Sequence, residues 1–181
     1  MSDLNQQQKE ALGRMMVEGF KNNDAEIIAG CLRRGADPDV SVQDGDSGAK
    51  RPVLHWGAYH FNEKGLQAML DHGANIEARD ADGNTALVYA ITNFKEEAVE
   101  FLMKHGADPL AQNRHGTVAL DIARGLRTDY ASYEKARGRI LKMLTNDYGQ
   151  LPATSPEKSE PETPKPPVSF EKKPGPNKFI V

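Results

Sequence analysis

A pattern of residues recurs in this chain at a displacement of 33 positions. The letters HGAN at 72–75 recur as HGAD at 105–108. Three more pairs of identical residues show the same displacement: Gly83 and Gly116, Leu87 and Leu120, Ala90 and Ala123. A fixed period of this length is typical of folds that are built from small stacked units. The sequence therefore predicts an array of such units.

Each unit has two apolar stripes, which indicate two helices. In the best-preserved unit these are Leu87, Ala90 and Ile91, then Ala98, Val99, Leu102 and Met103. One unit cannot bury both stripes alone, so neighbouring units must stack and unfold together. With DGNTALVYA at 82–90 and GAD at 106–108, this pattern resembles an ankyrin repeat. The resemblance implies an all-α helical solenoid of about four helix pairs with short hairpin loops.

The same pattern divides the chain into segments. We predict an ankyrin-type domain at 1–148, with an N-terminal cap at 3–38, central repeats at 47–79 and 80–112, and a C-terminal cap at 113–147. The first helix of the N-terminal cap starts with polar residues, as a terminal repeat must, because one of its faces meets water. In the fourth unit the second apolar stripe arrives about eight residues late, which predicts longer helices or a longer turn.

Local signals refine this picture. The first interval between Gly-Ala turns is five residues longer than the period, and the Gly/Asp/Ser-rich stretch 41–51 predicts an enlarged hairpin loop there. The turn at Asn22, Asn23 and Asp24 offers a cap for the second helix. Thr85 should cap a later helix by accepting a backbone N–H, a contribution of about 1 kcal/mol. The resemblance implies that His55 hydrogen-bonds the neighbouring loop.

The composition changes after Tyr148. Eight of the 11 prolines lie beyond residue 150, among Glu, Lys and Ser, and such a sequence cannot bury enough apolar surface to fold. We therefore predict a disordered tail at 149–181. Residues 158–164 fit a polyproline ligand or a plain spacer. The apolar end, Phe179, Ile180 and Val181, fits a C-terminus-reading domain of the PDZ type, a protease-read tag, or a dock on the repeats.

Composition also argues against several classes of function. A net charge of −3 and a pI near 6.0 give no basic footprint for nucleic acid or for a membrane surface. No window approaches the roughly 20 apolar residues that span a bilayer, and the N-terminus lacks a secretory signal. The predicted location is the cytoplasm, with secretion by a route without a cleaved signal as the alternative. Cys31 lies on an apolar stripe, which predicts a buried, unreactive thiol.

Catalytic motifs are lacking in the sequence. It contains no Gly-rich phosphate loop, no Gly-x-Ser-x-Gly turn and no Cys or His pair at tight metal spacing. The acids between Asp37 and Asp46 lack the pattern of a calcium loop. His72 and His105 occupy equivalent positions, but packed helices lie about 8–10 Å apart, whereas a zinc ligand lies within about 2.1 Å of its metal. We predict no enzyme, cofactor or metal, and a metal-dependent enzyme is the weakest hypothesis.

The resemblance also implies where a partner protein binds. In ankyrin arrays the partner is usually bound on the concave side. The residues that contact it belong to the hairpin tips, to the exposed end of the first helix of a repeat and to the last position of the second helix. The matching tip positions are Arg51, then Ala81, Asp82 and Asn84, then Arg114, His115 and Thr117. The matching helical positions are Tyr59, His60, His72, Thr92, Asn93 and His105, with Lys21, Asn22 and Arg34 on the N-terminal cap. Trp56 and Tyr89 correspond to each other, between core and groove.

The function that the resemblance implies is non-enzymatic recognition of another protein, as an adaptor or inhibitor. Ordinary solvated surface is the competing interpretation for each of the residues named. Two further hypotheses stay open: an accessory component of a larger assembly that is anchored by the C-terminal tail, and a host-directed effector without a cleaved signal.

Overall fold

Four helix pairs follow one another in the part of the chain that the structure describes. The computed structural model describes residues 5–43, 49–126 and 131–146. Its elements are α1 (Gln6–Lys21), α2 (Ala25–Arg33), β1 (Ser41–Gln43), β2 (Lys50–Pro52), α3 (Val53–His60), α4 (Glu63–Asp71), α5 (Ala86–Thr92), α6 (Glu96–Lys104), α7 (Ala119–Gly125) and α8 (Ala131–Asn146). The predicted all-α solenoid is confirmed. The proposed tail at 149–181 lies outside the described residues.

The helices form two layers. In the inner layer α1, α3, α5 and α7 pack side by side. In the outer layer α2 packs on α4 and α6 packs on α8, and each outer helix also contacts the inner helix of its own pair. The two apolar stripes predicted for the third repeat are buried between these layers, from Leu87 to Met103. Stacking therefore buries what a single repeat leaves exposed, as the period predicts.

The outer helices α2, α4 and α6 all end in the same turn, which sets the repeat period. After each helix a glycine adopts a positive φ: 87° at Gly35, 86° at Gly73 and 87° at Gly106. Its N–H donates to the carbonyl three residues earlier, and the next N–H donates to the carbonyl five residues earlier. A residue with a Cβ is strained in this left-handed region, which explains why the position is glycine in all three turns.

The turns that join paired helices also repeat. Asn23, Phe61 and Phe94 have positive φ values of 55°, 48° and 53°. The following residues are Asp24, Asn62 and Lys95, the N-caps of α2, α4 and α6. Asp24 accepts two backbone N–H groups, so the cap predicted within the turn 22–24 is confirmed and lies at its last residue. Asn62 accepts one. Lys95 makes no such bond, because an ammonium group has no acceptor atom for a backbone N–H.

The predicted cap at Thr85 is wrong. Thr85 is the N-cap residue of α5, but its side chain makes no capping hydrogen bond. Only 3% of the residue is exposed, so packing against the neighbouring elements decides where the hydroxyl points. Cys31 is buried as expected, and burial raises the pKa of its thiol while the charge of Arg34 lowers it.

The inserted stretch forms the predicted enlarged hairpin. Strands β1 and β2 pair antiparallel with Val42 opposite Arg51, and residues 44–48 between them lie outside the described residues. The hairpin packs on α1 at Gly13, where an added Cβ would lie 2.8 Å from a methyl group of Val40 and of Val42. Glycine at this position therefore lets α1 approach the hairpin, and the hairpin places Arg51 directly before α3.

The late apolar stripe of the fourth unit is explained by a long last helix. Helix α8 has 16 residues, whereas α4 and α6 have nine each. An ion pair between Arg139 and Glu96 joins α8 to α6, and Arg137 donates to the Leu126 carbonyl oxygen at 2.8 Å. The ring of Tyr133 also lies 4.8 Å from the ring of Phe94. The extra residues thus fasten α8 to the preceding pair.

Candidate functional site

One arginine lies between two aromatic rings that belong to successive repeats. The guanidinium carbon of Arg51 is 5.4 Å from the centroid of Trp56 and 4.9 Å from that of Tyr89. Trp56 on α3 and Tyr89 on α5 are equivalent residues, and α3 packs beside α5 in the inner layer. Stacking of the two repeats therefore brings both rings within reach of a single cation from β2.

Further aromatic and basic residues surround Trp56. The imidazole of His60 stacks near it, with centroids 6.2 Å apart and an angle of 9°, and the ring of Tyr59 meets His60 edge-on at 4.8 Å. The Lys21 ammonium lies 5.6 Å from the Trp56 centroid, and the Lys95 ammonium 5.7 Å from the Tyr59 centroid. We call the following set the aromatic–cation cluster: Lys21, Arg51, Trp56, Tyr59, His60, Tyr89 and Lys95.

Two lysines, Lys21 and Lys95, set the electrostatic environment of His60 in this cluster. Burial lowers the pKa of His60, and the charges of Lys21 and Lys95 lower it further, against a smaller opposite effect of Glu18. Glu18 is bonded to Lys21 at 2.9 Å on the exposed surface. Within the described part of the chain, no carboxylate lies at ion-pair distance from Lys95. A cation over an aromatic ring keeps its N–H donors, so the cluster can attract an anionic group.

A hydrogen-bond network holds the Tyr89 ring in place. Its hydroxyl donates to Asp80 Oδ2 at 2.9 Å, and burial together with this bond raises the pKa of Tyr89 to about 12. Burial alone would raise the pKa of Asp80, but hydrogen bonds from the Asn84 N–H, the Tyr89 hydroxyl and the Asp82 N–H bring it below its ordinary value. Asp80 therefore stays charged and fixes both the hairpin tip and the ring.

The second and third of the hairpin tips predicted to bind a partner lie side by side. The Arg114 N–H donates to the Asp82 carbonyl at 3.0 Å, and the Asn113 amide donates to Asn84 Oδ1 at 3.0 Å. Ala81, Asp82, Arg114 and His115 are exposed, and Asn84 and Thr117 are half-buried. The structure thus brings the second and third predicted tips together.

The helix-end residues that were predicted to bind a partner fall into two groups. Thr92 and Asn93 end α5 as Tyr59 and His60 end α3, and α3 packs on α5, so all four belong to the inner layer. The second group, His72 and His105, caps the outer helices α4 and α6. Asn22 and Arg34 are the corresponding C-caps of α1 and α2.

The two outer histidines make their contacts within the outer layer. His72 Nδ1 donates to the Ala68 carbonyl and His105 Nδ1 to the Phe101 carbonyl, both at 2.8 Å. His105 Nε2 also lies 3.0 Å from Gln67 Oε1 of α4. The structure therefore does not bring them into the aromatic–cation cluster. Among the described residues, no group of three or more His, Cys, Asp or Glu side chains is arranged to hold a metal ion.

Sequence reasoning missed Lys95. Its position is equivalent to that of Asp24 and Asn62, which are N-caps, and a lysine there is the departure that could have drawn attention to it. The tail motif Phe179, Ile180 and Val181 and the proline-rich segment 158–164 lie outside the described residues. None of the helices in the described ranges combines the length and the apolar character needed to cross a bilayer.

A comparison with known families matches this architecture. The family model described as ankyrin repeats, three copies, matches residues 15–113, more than half of the chain. This chain belongs to the ankyrin-repeat family. The match begins within α1 and ends before α7, so it leaves out the helix pair α7–α8, where the sequence departs from the repeat pattern. Ankyrin repeats are generally protein–protein interaction modules and are typically not enzymes.

Proposed function

We propose that this ankyrin-repeat protein is an adaptor or inhibitor that binds a partner protein through its inner layer and hairpin tips. In ankyrin arrays these elements form the concave face. The observation that carries the proposal is the aromatic–cation cluster, which spans α1, α3, α5 and the β1–β2 hairpin. A cytoplasmic location, predicted from the sequence, belongs to the same proposal.

The composition of the cluster favours an interface. Tryptophan, tyrosine and arginine dominate the residues whose truncation most weakens protein complexes. Tyr59 is 42% exposed, although large apolar side chains are normally buried, and it adjoins the half-buried Trp56 and His60. A large ring with a polar end supplies contact area and a hydrogen-bonding group together. This part of the inner layer is therefore the best candidate for the centre of an interface.

The cluster is also fixed before any partner arrives. Arg51 lies between two rings, and Tyr89 is bonded to Asp80. Side chains that are already ordered lose little entropy on binding, whereas ordering a flexible side chain costs about 0.5–1.5 kcal/mol. A preorganised surface of this kind suits noncovalent recognition.

Affinity capture with matched variants tests the proposal. The full-length chain serves as bait, and retained proteins are identified by mass spectrometry. The double variant Tyr59→Ala/His60→Ala should lose the partner, because central interface residues contribute about 2 kcal/mol or more each. The control Gln67→Ala/Asp71→Ala changes two side chains of α4 that bond each other in the outer layer, and it should retain the partner.

The opposite pattern, with capture lost only in the α4 variant, would place the interface on the outer layer and overturn the proposal. A third bait with alanine at positions 179–181 tests the alternative in which the tail anchors the protein. Loss of the partner in that bait alone would favour the assembly component over the adaptor.

A further inference from the structure

The outer layer has a groove between α4 and α6. Helix α2 packs on α4 and α6 packs on α8, whereas no comparable packing joins the described helices α4 and α6. A contact from the end of α6 bridges the two, since His105 Nε2 lies 3.0 Å from Gln67 Oε1. The space beside this bridge is a cavity of about 280 Å³ that opens to solvent.

Aromatic rings form the floor of this groove. Phe101 of α6 is 6% exposed, and the His105 ring stacks on it with centroids 4.1 Å apart. Phe61, in the turn before α4, adds a half-buried ring to the same cavity. The face of an aromatic ring is electrostatically negative and attracts a cation, whose apolar stem also packs on it. The floor therefore suits a cationic side chain.

The rim of the groove is acidic. Glu63 of α4 and Glu97 and Glu100 of α6 line the cavity, and all three are exposed. Glu100 bonds Lys104 at 2.7 Å. Among the described residues, no cation lies at ion-pair distance from Glu63 or Glu97. The rim thus presents three carboxylates and one ammonium group.

Two basic residues that lie close to the rim in the fold have other contacts. Arg139 of α8 pairs with Glu96, and this bond is the largest cause of its raised pKa, to which Glu97 adds a smaller effect. The Lys95 ammonium lies 5.7 Å from the Tyr59 centroid of the inner layer. Neither side chain forms an ion pair with the carboxylate of Glu97, so a ligand can do so.

Acidic charge alone does not distinguish the groove. The depression between the turns before α2 and α4 is also lined by carboxylates, those of Asp24, Glu26 and Glu63. Lys64 lies among them, however, and no aromatic ring is found among the described residues that line this depression. The groove between α4 and α6 differs because it joins the carboxylates to aromatic rings.

The arrangement of the acids selects the kind of cation. Within the described ranges, Glu63, Glu97 and Glu100 are not arranged to share a metal ion. A guanidinium group is larger and planar, so it can lie on a ring and donate N–H groups to a carboxylate at the same time. Ankyrin repeats generally bind proteins, which favours a polypeptide as its source. We propose that this groove is a second binding site, which receives an arginine-bearing segment of a polypeptide.

An NMR titration of the full-length, ¹⁵N-labelled chain tests this inference. The probe is a tetra-arginine peptide blocked at both ends, and the control is tetracitrulline, which keeps the side-chain shape without the charge. We expect tetra-arginine to shift the amide signals at 61–63 and 97–105, with an affinity that falls as salt is added. Tetracitrulline should shift none of them.

Matched variants test the two parts of the groove. Glu97→Gln should raise the Kd of tetra-arginine about two- to fivefold, the range for exposed charge pairs. Phe61→Leu keeps an apolar side chain but removes the ring, and the loss of an exposed cation–π contact should weaken binding by a factor of about two to five. Glu26→Gln should leave the Kd unchanged. It is the matched control, because Glu26 and Glu97 each hold the second position of an outer helix.

Three results would overturn the inference: shifts spread over the acidic surface instead of the groove, equal binding of tetracitrulline, or an equal loss in Glu26→Gln. Equal affinity for argininamide would assign the groove to a small amine, and shifts that follow protein concentration without peptide would assign it to a second copy of the chain. Thermal unfolding of each variant shows whether it is folded. Tyr59→Ala/His60→Ala should bind tetra-arginine as the wild type does, so a failure of the inner-layer proposal is measured separately.

Discussion

His55 Nε2 donates a hydrogen bond to the carbonyl oxygen of Asn84 at 2.9 Å, from α3 of one repeat to the hairpin tip of the next. His55 is completely buried, and the ring of Tyr89 meets its edge at 4.9 Å. The role that the resemblance implied for His55 is thereby confirmed. Because Asn84 immediately precedes the N-cap of α5, this bond couples two repeats just beneath the aromatic–cation cluster.

The protonation of His55 makes the stability of the fold depend on pH. Burial lowers the pKa of His55 below its ordinary value of 6.5, and the bond to Asn84 only partly opposes this. The unfolded chain therefore binds more protons than the folded one as the pH falls. The contribution is fully present above pH 6.5 and is lost as the pH falls from there towards the folded pKa. We expect the free energy of unfolding, measured with urea, to decrease between about pH 7 and pH 5.

Substitution at position 55 tests the assignment. His55→Gln keeps a donor for Asn84 but does not titrate, so its unfolding free energy should vary less with pH. Its stability at neutral pH should fall by about 1–3 kcal/mol, because a buried bond is disturbed. Some slope should persist, since the pKa of His60 is lowered as well. His115→Gln at an exposed tip should keep the wild-type slope, and an unchanged slope in His55→Gln would contradict the prediction.

Arg51→Gln should alter both stability and fluorescence. The substitution removes the cation between Trp56 and Tyr89, and cation–π contacts of this kind contribute about 0.5–1 kcal/mol each at exposed sites. Trp56 is the single tryptophan of the chain, so a change in emission is assignable to it. Urea unfolding followed by tryptophan emission measures both effects. Arg14→Gln, on the exposed side of α1, should change neither the emission maximum nor the midpoint.

Much of the fold was predictable because the repeat period carries it. A shift of 33 residues identifies equivalent positions, so Trp56 and Tyr89, the turn glycines and the inserted hairpin were all assigned from the sequence. The period cannot, however, say which side chains meet across two repeats. Lys95 was missed for this reason. It contacts the Tyr59 ring of the preceding repeat, and this depends on the turn at Phe94, where φ is 53°.

Local sequence propensity did not predict side-chain hydrogen bonds correctly where tertiary packing determines them. A threonine before a helix usually caps it, yet Thr85 is almost fully buried and makes no such bond. The histidines show the same limit. His72 and His105 are equivalent by period, but their nitrogens bond the backbone of their own outer helices, a detail that spacing alone does not contain.

Gly57 should tolerate a methyl group poorly. A Cβ at residue 57 would lie 2.6 Å from Leu66 Cδ2 and 2.8 Å from Phe20 Cζ, inside van der Waals distance, and Phe20 is only 1% exposed. Overpacking of this kind costs about 1–3 kcal/mol, more than the gain in helix propensity. Gly57→Ala should therefore lower the free energy of unfolding. Gly138→Ala is the matched control, since nothing lies within 4 Å of its added methyl, and it should stabilise by about 0.5–1 kcal/mol.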